Sequence, residues 1–151
     1  MSSEYTVATE RVDARPLAVV RARMTIADLK SQFGALLGKV YKAGLKLDGQ
    51  NVFVYSQCDG GLFDIQFGVG VDGKFDKRGD VEYSETPAGE VVCATHWGDY
   101  SLMRPAHEAI QTWMKANNRK FSGTSWEVYG HMAPDQDPAN VRTDIYYLLA
   151  G

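Results

Sequence analysis

The sequence predicts an α+β fold: two tandem β-α-β-β repeats, about residues 5–73 and 80–150, within a single domain spanning 1–151. Three observations predict it. Each half carries one stretch with helical periodicity, each carries three runs with strand character, and short matches recur in the same order in both halves.

The first predicted strand is "RPLAVVRARM" (15–24), apolar and β-branched after Pro16. A helix follows in "TIADLKSQFGALLGKVYKAGLKL" (25–47). Thr25 is its expected N-cap, with Asp28 in place of the capping-box glutamate. Ile26, Leu29, Phe33, Leu36, Leu37, Val40 and Tyr41 recur at three- and four-residue spacing, which marks one apolar face, and Gly44 is the expected stop. "NVFVYSQ" (51–57) and "LFDIQFGVGV" (62–71) then read as a hairpin turning at "CDGG" (58–61).

The second half repeats the order. "GEVVCATHWG" (89–98) is a strand, and "SLMRPAHEAIQTWMKANN" (101–118) is a helix with Pro105 in its first turn and Asn117 and Asn118 at its end. "SWEVYGHM" (125–132) and "TDIYYLLA" (143–150) are strands, joined by a longer loop with Pro134 and Pro138. Val19–Val20 matches Val91–Val92 at an offset of 72, Val54–Tyr55 matches Val128–Tyr129 at 74, and Asp64–Ile65 matches Asp144–Ile145 at 80. The offset grows across loops, where insertions are tolerated, so an internal duplication is expected with Asp64 and Asp144 as mates.

Composition narrows the function. A formal net charge of −3 and a pI near 5.6, with basic residues scattered, give no electrostatic footprint for nucleic acid. The polar start "MSSEYTVATERV" lacks the apolar core of a signal peptide, and no run approaches the ~18–20 apolar residues of a membrane helix. A cytoplasmic protein with reduced Cys58 and Cys93 is expected, with no metal and no cofactor. His96, His107 and His131 lack metal-ligand spacing, and "HEAIQ" lacks the second histidine of a zinc helix. "GVGVDG" (68–73) spells a dinucleotide fingerprint, but it ends a strand and opens no helix.

"RTDIYYLL" (142–149) places a carboxylate inside a strand-like apolar run. Burying that charge without a partner is costly, so Asp144 must bond a turn, pair with a cation or face a ligand. Strand alternation puts Asp144 and Tyr146 on one face. Tyr55, Trp97, Trp113, Trp126, Tyr129, Tyr146 and Tyr147 supply flat aromatic surfaces suited to apolar or cationic ligands, or else fill the core.

"THWGDY" (95–100), "EVYGHM" (127–132) and "RTDIYYLL" together resemble the GyrI-like effector-binding domains, the ligand sensors attached to AraC- and MerR-type regulators of bacteria. His96, Gly98 and Tyr100 match that family's His-x-Gly-x-Tyr, Val128 and Tyr129 its Val-Tyr strand, and Thr143, Asp144, Ile145 and Tyr146 its closing Thr-Glu-Ile-Tyr. Asp64, Gln66, Gly68 and Val71 stand where its first repeat carries Asp-x-Glu-x-Gly-x-x-Val. The resemblance implies repeats related by a pseudo-twofold, an antiparallel sheet with two main helices, and a central aromatic ligand cleft with an acidic floor. Asp144 is one methylene shorter than the family's glutamate, and Gln66 replaces the other.

The expected function is therefore binding of a lipophilic small molecule, cationic or neutral, by Asp144, Tyr146, Tyr129, Trp97, Tyr55, Trp126 and Trp113. Asp144 is expected to reach Tyr129 or Tyr146 rather than pair with Arg142, whose side chain can turn to water. Two alternatives stand beside this. One is a hydrolase of cyclopropanoid or other electrophilic natural products, with Asp144, Tyr129 and His96 as its catalytic groups. The other is a gyrase-inhibitor-like protein-interaction role. Direct nucleic-acid and membrane partners are not expected; a protein partner or a second copy of the chain is the remaining expectation. No DNA-reading helix is expected before the first repeat, so a regulatory role is expected to need a partner that binds DNA.

Overall fold

The computed structural model describes residues 5–98, 102–130 and 141–150. In chain order the elements are β1 (Ala8–Val12), β2 (Pro16–Met24), α1 (Ile26–Tyr41), β3 (Leu47–Gln57), β4 (Phe63–Val71), β5 (Glu82–Glu85), β6 (Gly89–Trp97), α2 (Arg104–Ala116), β7 (Phe121–Tyr129) and β8 (Arg142–Leu149). The α+β class and all six long predicted strands are present. Tyr100, His131, Met132 and the loop prolines 134 and 138 lie outside the described residues.

The chain divides into two compact units. Residues 13–87 form one, a sheet ordered β5-β2-β4-β3 that carries α1; residues 1–12 and 88–151 form the other, ordered β1-β6-β8-β7, which carries α2. All strand pairs within each unit are antiparallel. The two orders are the same, with each β-α-β-β repeat extended by one edge strand. The edge strands are exchanged: β1 precedes the first repeat but pairs with β6, and β5 precedes the second but pairs with β2. The unit boundaries therefore differ from the predicted repeat boundaries at both edge strands. Neither "ATERV" nor "EYSE" reads as a strand, because short, charged segments are what sheet edges tolerate.

Register makes the duplication concrete. Asp64 lies opposite Arg23 and Ser56, and Asp144 opposite Thr95 and Val128, so the two aspartates are equivalent. The offsets of 72 for β2/β6 and 80 for β4/β8 hold. The predicted match of Val54–Tyr55 to Val128–Tyr129 does not: Ser56 is the mate of Val128, and Tyr55 is the mate of Glu127. The insertion therefore lies wholly in the β7–β8 connection.

α1 starts as predicted, with the Thr25 side chain accepting from the Asp28 N–H at 3.3 Å. Its apolar face is only partly used. Leu37 and Val40 are buried, whereas Ile26, Phe33 and Tyr41 are exposed, so the helix rests on its sheet through its C-terminal half. α2 ends in a Schellman motif. Asn118 takes the left-handed conformation (φ 55), and the Arg119 N–H reaches the Met114 carbonyl at 2.9 Å. The first two glycines of "GVGVDG", Gly68 and Gly70, serve strand packing rather than phosphate binding. A Cβ on Gly68 would meet Val19 Cγ1 at 2.7 Å, and one on Gly70 would meet Gly49 Cα at 2.8 Å. Among the described residues no helix is long and apolar enough to cross a membrane, and no group of His, Cys, Asp or Glu side chains could hold a metal.

Candidate functional site

The β1-β6-β8-β7 sheet sorts the predicted site residues onto two faces. Alternation on β8 sends Thr143, Ile145, Tyr147 and Leu149 toward α2, where Met103, Ala106, Ile110 and Met114 pack against Ile145, Tyr147 and Leu149. Asp144 and Tyr146 take the other face, as alternation predicts, together with Trp126 and Thr95, their cross-strand partners.

On that second face, Trp126 stacks on Tyr146 with ring centroids 5.3 Å apart. Asp144 is engaged. Its Oδ1 accepts from Arg142 Nε at 3.0 Å and from Thr95 Oγ1 at 2.8 Å. This corrects the expectation that Arg142 turns to water. Arg142 is the first residue of β8, so it shares a face with Asp144, and its guanidinium is held over the ring of cross-strand Trp97 at 5.8 Å. Trp97 itself is 58% exposed. Tyr129 is out of reach of Asp144, because register places it beside Thr143 on the α2 face. In the other unit, the equivalent Asp64 pairs with Arg23 at 2.8 Å, and that guanidinium holds its carboxyl below the usual range.

The α2 face holds a different acid. Glu127, opposite Ile145, is 7% exposed and therefore buried. Its Oε2 lies 2.7 Å from His107 Nε2, and its Oε1 accepts from the Tyr129 hydroxyl. His107 Nδ1 lies 2.7 Å from the Tyr147 hydroxyl, which also accepts from Gln111 Nε2 at 3.4 Å. Burial pushes the Tyr147 phenol up, opposed by the Gln111 contact and reinforced by the Glu127 charge. The sequence brings these groups together through two periods: β7 alternates Ser125, Glu127, Tyr129 on one face, and α2 turns His107, Ile110 and Met114 inward at helical spacing. Further along the face, His96 is buried and its Nδ1 meets the Tyr5 hydroxyl at 2.9 Å. Its cross-strand neighbour Thr143 is fully buried, and its hydroxyl has no hydrogen-bond partner.

Of the predicted residues, Tyr129 and His96 thus share the α2 face, and Asp144, Tyr146, Trp126 and Trp97 share the opposite one. Trp113 packs half-buried against the core beneath α2. Tyr55 belongs to the other unit, on β3 opposite Ile65. Glu127 is not among the predicted site residues, although "SWEVY" (125–129) sets a carboxylate among apolar strand residues just as "TDIYYLL" does. Both faces of this strand hold buried side chains.

Two open depressions, of about 380 and 400 Å³, occur in the 13–87 unit. One is lined by residues of the 44–46 and 71–78 segments, the other by Lys74, Phe75, Asp76 and Tyr83. Neither includes a predicted site residue, and their mixed lysine and aspartate walls do not suit an apolar ligand.

Cys93, beside β1, gives a check on the second face. Burial, with the Glu10 and Asp144 carboxylates nearby, pushes its thiol up to about 12. That leaves far less thiolate at neutral pH than an exposed cysteine would have. Labelling of Cys58→Ser protein with a thiol-specific disulfide reagent at pH 8 should therefore be far slower than in denaturant. Equal rates would show that Cys93 is not in this environment.

A family model described as "GyrI-like small molecule binding domain" matches residues 6–150. The C-terminal domain of EcmrR shares the fold with a TM-score of 0.79 at 20% identity, covering 97% of this chain and 98% of that one. SAV2435, solved bound to tetraphenylphosphonium, gives 0.70 at 10% identity over 97% and 94%. A hydrolase from Listeria innocua gives 0.61 at 9% over 95% and 91%. No curated protein sequence matches the chain.

Proposed function

The chain belongs to the GyrI-like small-molecule-binding domain family, and from that premise we propose that it binds lipophilic cations, with Glu127 supplying the negative charge that meets them. The observation that carries this reading is the buried Glu127 carboxylate, held by Tyr129 and His107 beside Tyr147. A carboxylate kept from water interacts with a cation far more strongly than one at the surface. Aromatic rings beside it add dispersion and a negative quadrupole, which favour bulky cations of varied shape. Asp144 is less suited to the role, since Arg142 already neutralises it. Tetraphenylphosphonium, the cation bound by SAV2435, is the natural probe.

Calorimetric titration at pH 7.5 should show tetraphenylphosphonium binding in a one-to-one ratio. Tetraphenylborate, of the same shape and opposite charge, should bind at least tenfold more weakly. Equal affinities would refute an acidic site.

A second reading draws on the same pair. A carboxylate bonded to an imidazole can accept a proton from water, as hydrolysis of an electrophilic ligand requires. Ring-opened product from an electrophilic cyclopropane, abolished in Glu127→Gln, would favour it over binding alone.

A further inference from the structure

We infer that His107 sets the charge selectivity of the Glu127 site: as neutral imidazole it leaves the carboxylate's charge to a cationic ligand, and as imidazolium it takes that ligand's place. The inference rests on Glu127 being the acid that meets the ligand.

The argument begins with donors and acceptors. Glu127 only accepts when ionised, so His107 Nε2, 2.7 Å away, carries the hydrogen of that bond. The other ring nitrogen, Nδ1, meets a hydroxyl at 2.7 Å that can donate or accept. With neutral imidazole every polar hydrogen has one direction. Gln111 donates to Tyr147, Tyr147 to His107, and His107 to Glu127, while Tyr129 donates to the other carboxylate oxygen. Protonating Nδ1 reverses one link, since the Tyr147 hydroxyl must then accept from both Gln111 and His107 and send its own hydrogen elsewhere. It also sets an imidazolium against the carboxylate in a charge-assisted bond. The His107 side chain is 26% exposed, so a proton can reach it from solvent while Glu127 stays covered.

Several described elements pack groups against His107. β7 contributes Glu127 and Tyr129, and β8 contributes Tyr147. His96 of β6 lies on the same face, with its Nδ1 engaged by Tyr5. On α2 itself, Gln111 is neutral, and Arg104 and Glu108 pair with each other at 3.4 Å in solvent. An incoming cation and the His107 proton therefore compete for one carboxylate, and by linkage each weakens the other.

The test is the affinity of the full chain for tetraphenylphosphonium between pH 5 and 8, where imidazoles change charge. Affinity should fall on acidification, approaching about tenfold per pH unit below the titration point. Calorimetry in buffers of different ionisation enthalpy should detect up to one proton released per ligand bound. His107→Gln, checked for folding by circular dichroism, should bind with nearly flat pH dependence. A flat wild-type profile overturns the inference while leaving the acidic site standing, provided Glu127→Gln still weakens cation binding selectively. An unchanged slope in His107→Gln overturns it too, because the pH dependence would then come from a group other than His107. Absence of binding at every pH overturns both readings.

Discussion

Ile145→Ala is expected to destabilise the protein by about 2–5 kcal/mol, measured by urea or thermal unfolding. Ile145 is fully buried in β8, an inner strand flanked by β6 and β7, with Ala94 and Glu127 opposite it. Above it pack Ala106, Ile110 and Met114 of α2. The truncated side chain would leave a void between the sheet and α2, flanked by Ala94 and Glu127 on the neighbouring strands, so the surroundings can collapse only partly. Leu148→Ala, at a half-buried position on the opposite face, should cost less. A loss below about 1 kcal/mol at Ile145 would mean that α2 does not pack on β8 as described.

The same side chain shows how far the sequence carries. Alternation in "TDIYYLL" predicts the two faces of β8, and helical spacing in "RPAHEAIQTWM" predicts the inward side of α2; both patterns record burial, which is what selects apolar residues. The duplication is legible for the same reason. Val19–Val20 and Val91–Val92 must be apolar in both halves, and their register agrees. What stays hidden is pairing that leaves no periodic trace. β1 and β5 each complete the sheet of the other repeat, and no local pattern says which neighbour an edge strand will choose. Polar partners are hidden too. Whether Arg142 reaches water or Asp144 depends on Trp97, 45 residues earlier in sequence but directly opposite across β6 and β8. His107 and Glu127 meet only because α2, packed on β6 and β8, brings His107 to β7, so a screen of "HEAIQ" for a second histidine passes over a carboxylate on another element.

Glu127→Gln is expected to weaken tetraphenylphosphonium binding by about 1–3 kcal/mol, the size of a charge-assisted contact, and to leave tetraphenylborate binding unchanged or tighter. The substitution keeps the shape of the side chain and removes its charge, so a loss confined to the cation isolates electrostatics from packing. Its structural cost should be modest. The amide oxygen can still accept from Tyr129 or His107, but the amide nitrogen then faces the other donor, which costs about 1 kcal/mol. Asp144→Asn is the matched control. Its Oδ1 accepts from Arg142 and Thr95, and an asparagine oxygen can keep both contacts, so cation affinity should change by less than about 0.5 kcal/mol. The two carboxylates lie on opposite faces of one sheet, so the pair of variants also reports which face the ligand uses. Selective loss in Asp144→Asn with full binding in Glu127→Gln would move the acidic role to the Trp126–Tyr146 face. Equal losses for cation and anion in Glu127→Gln would instead make Glu127 a structural anchor for α2, tying the helix to β7 through His107.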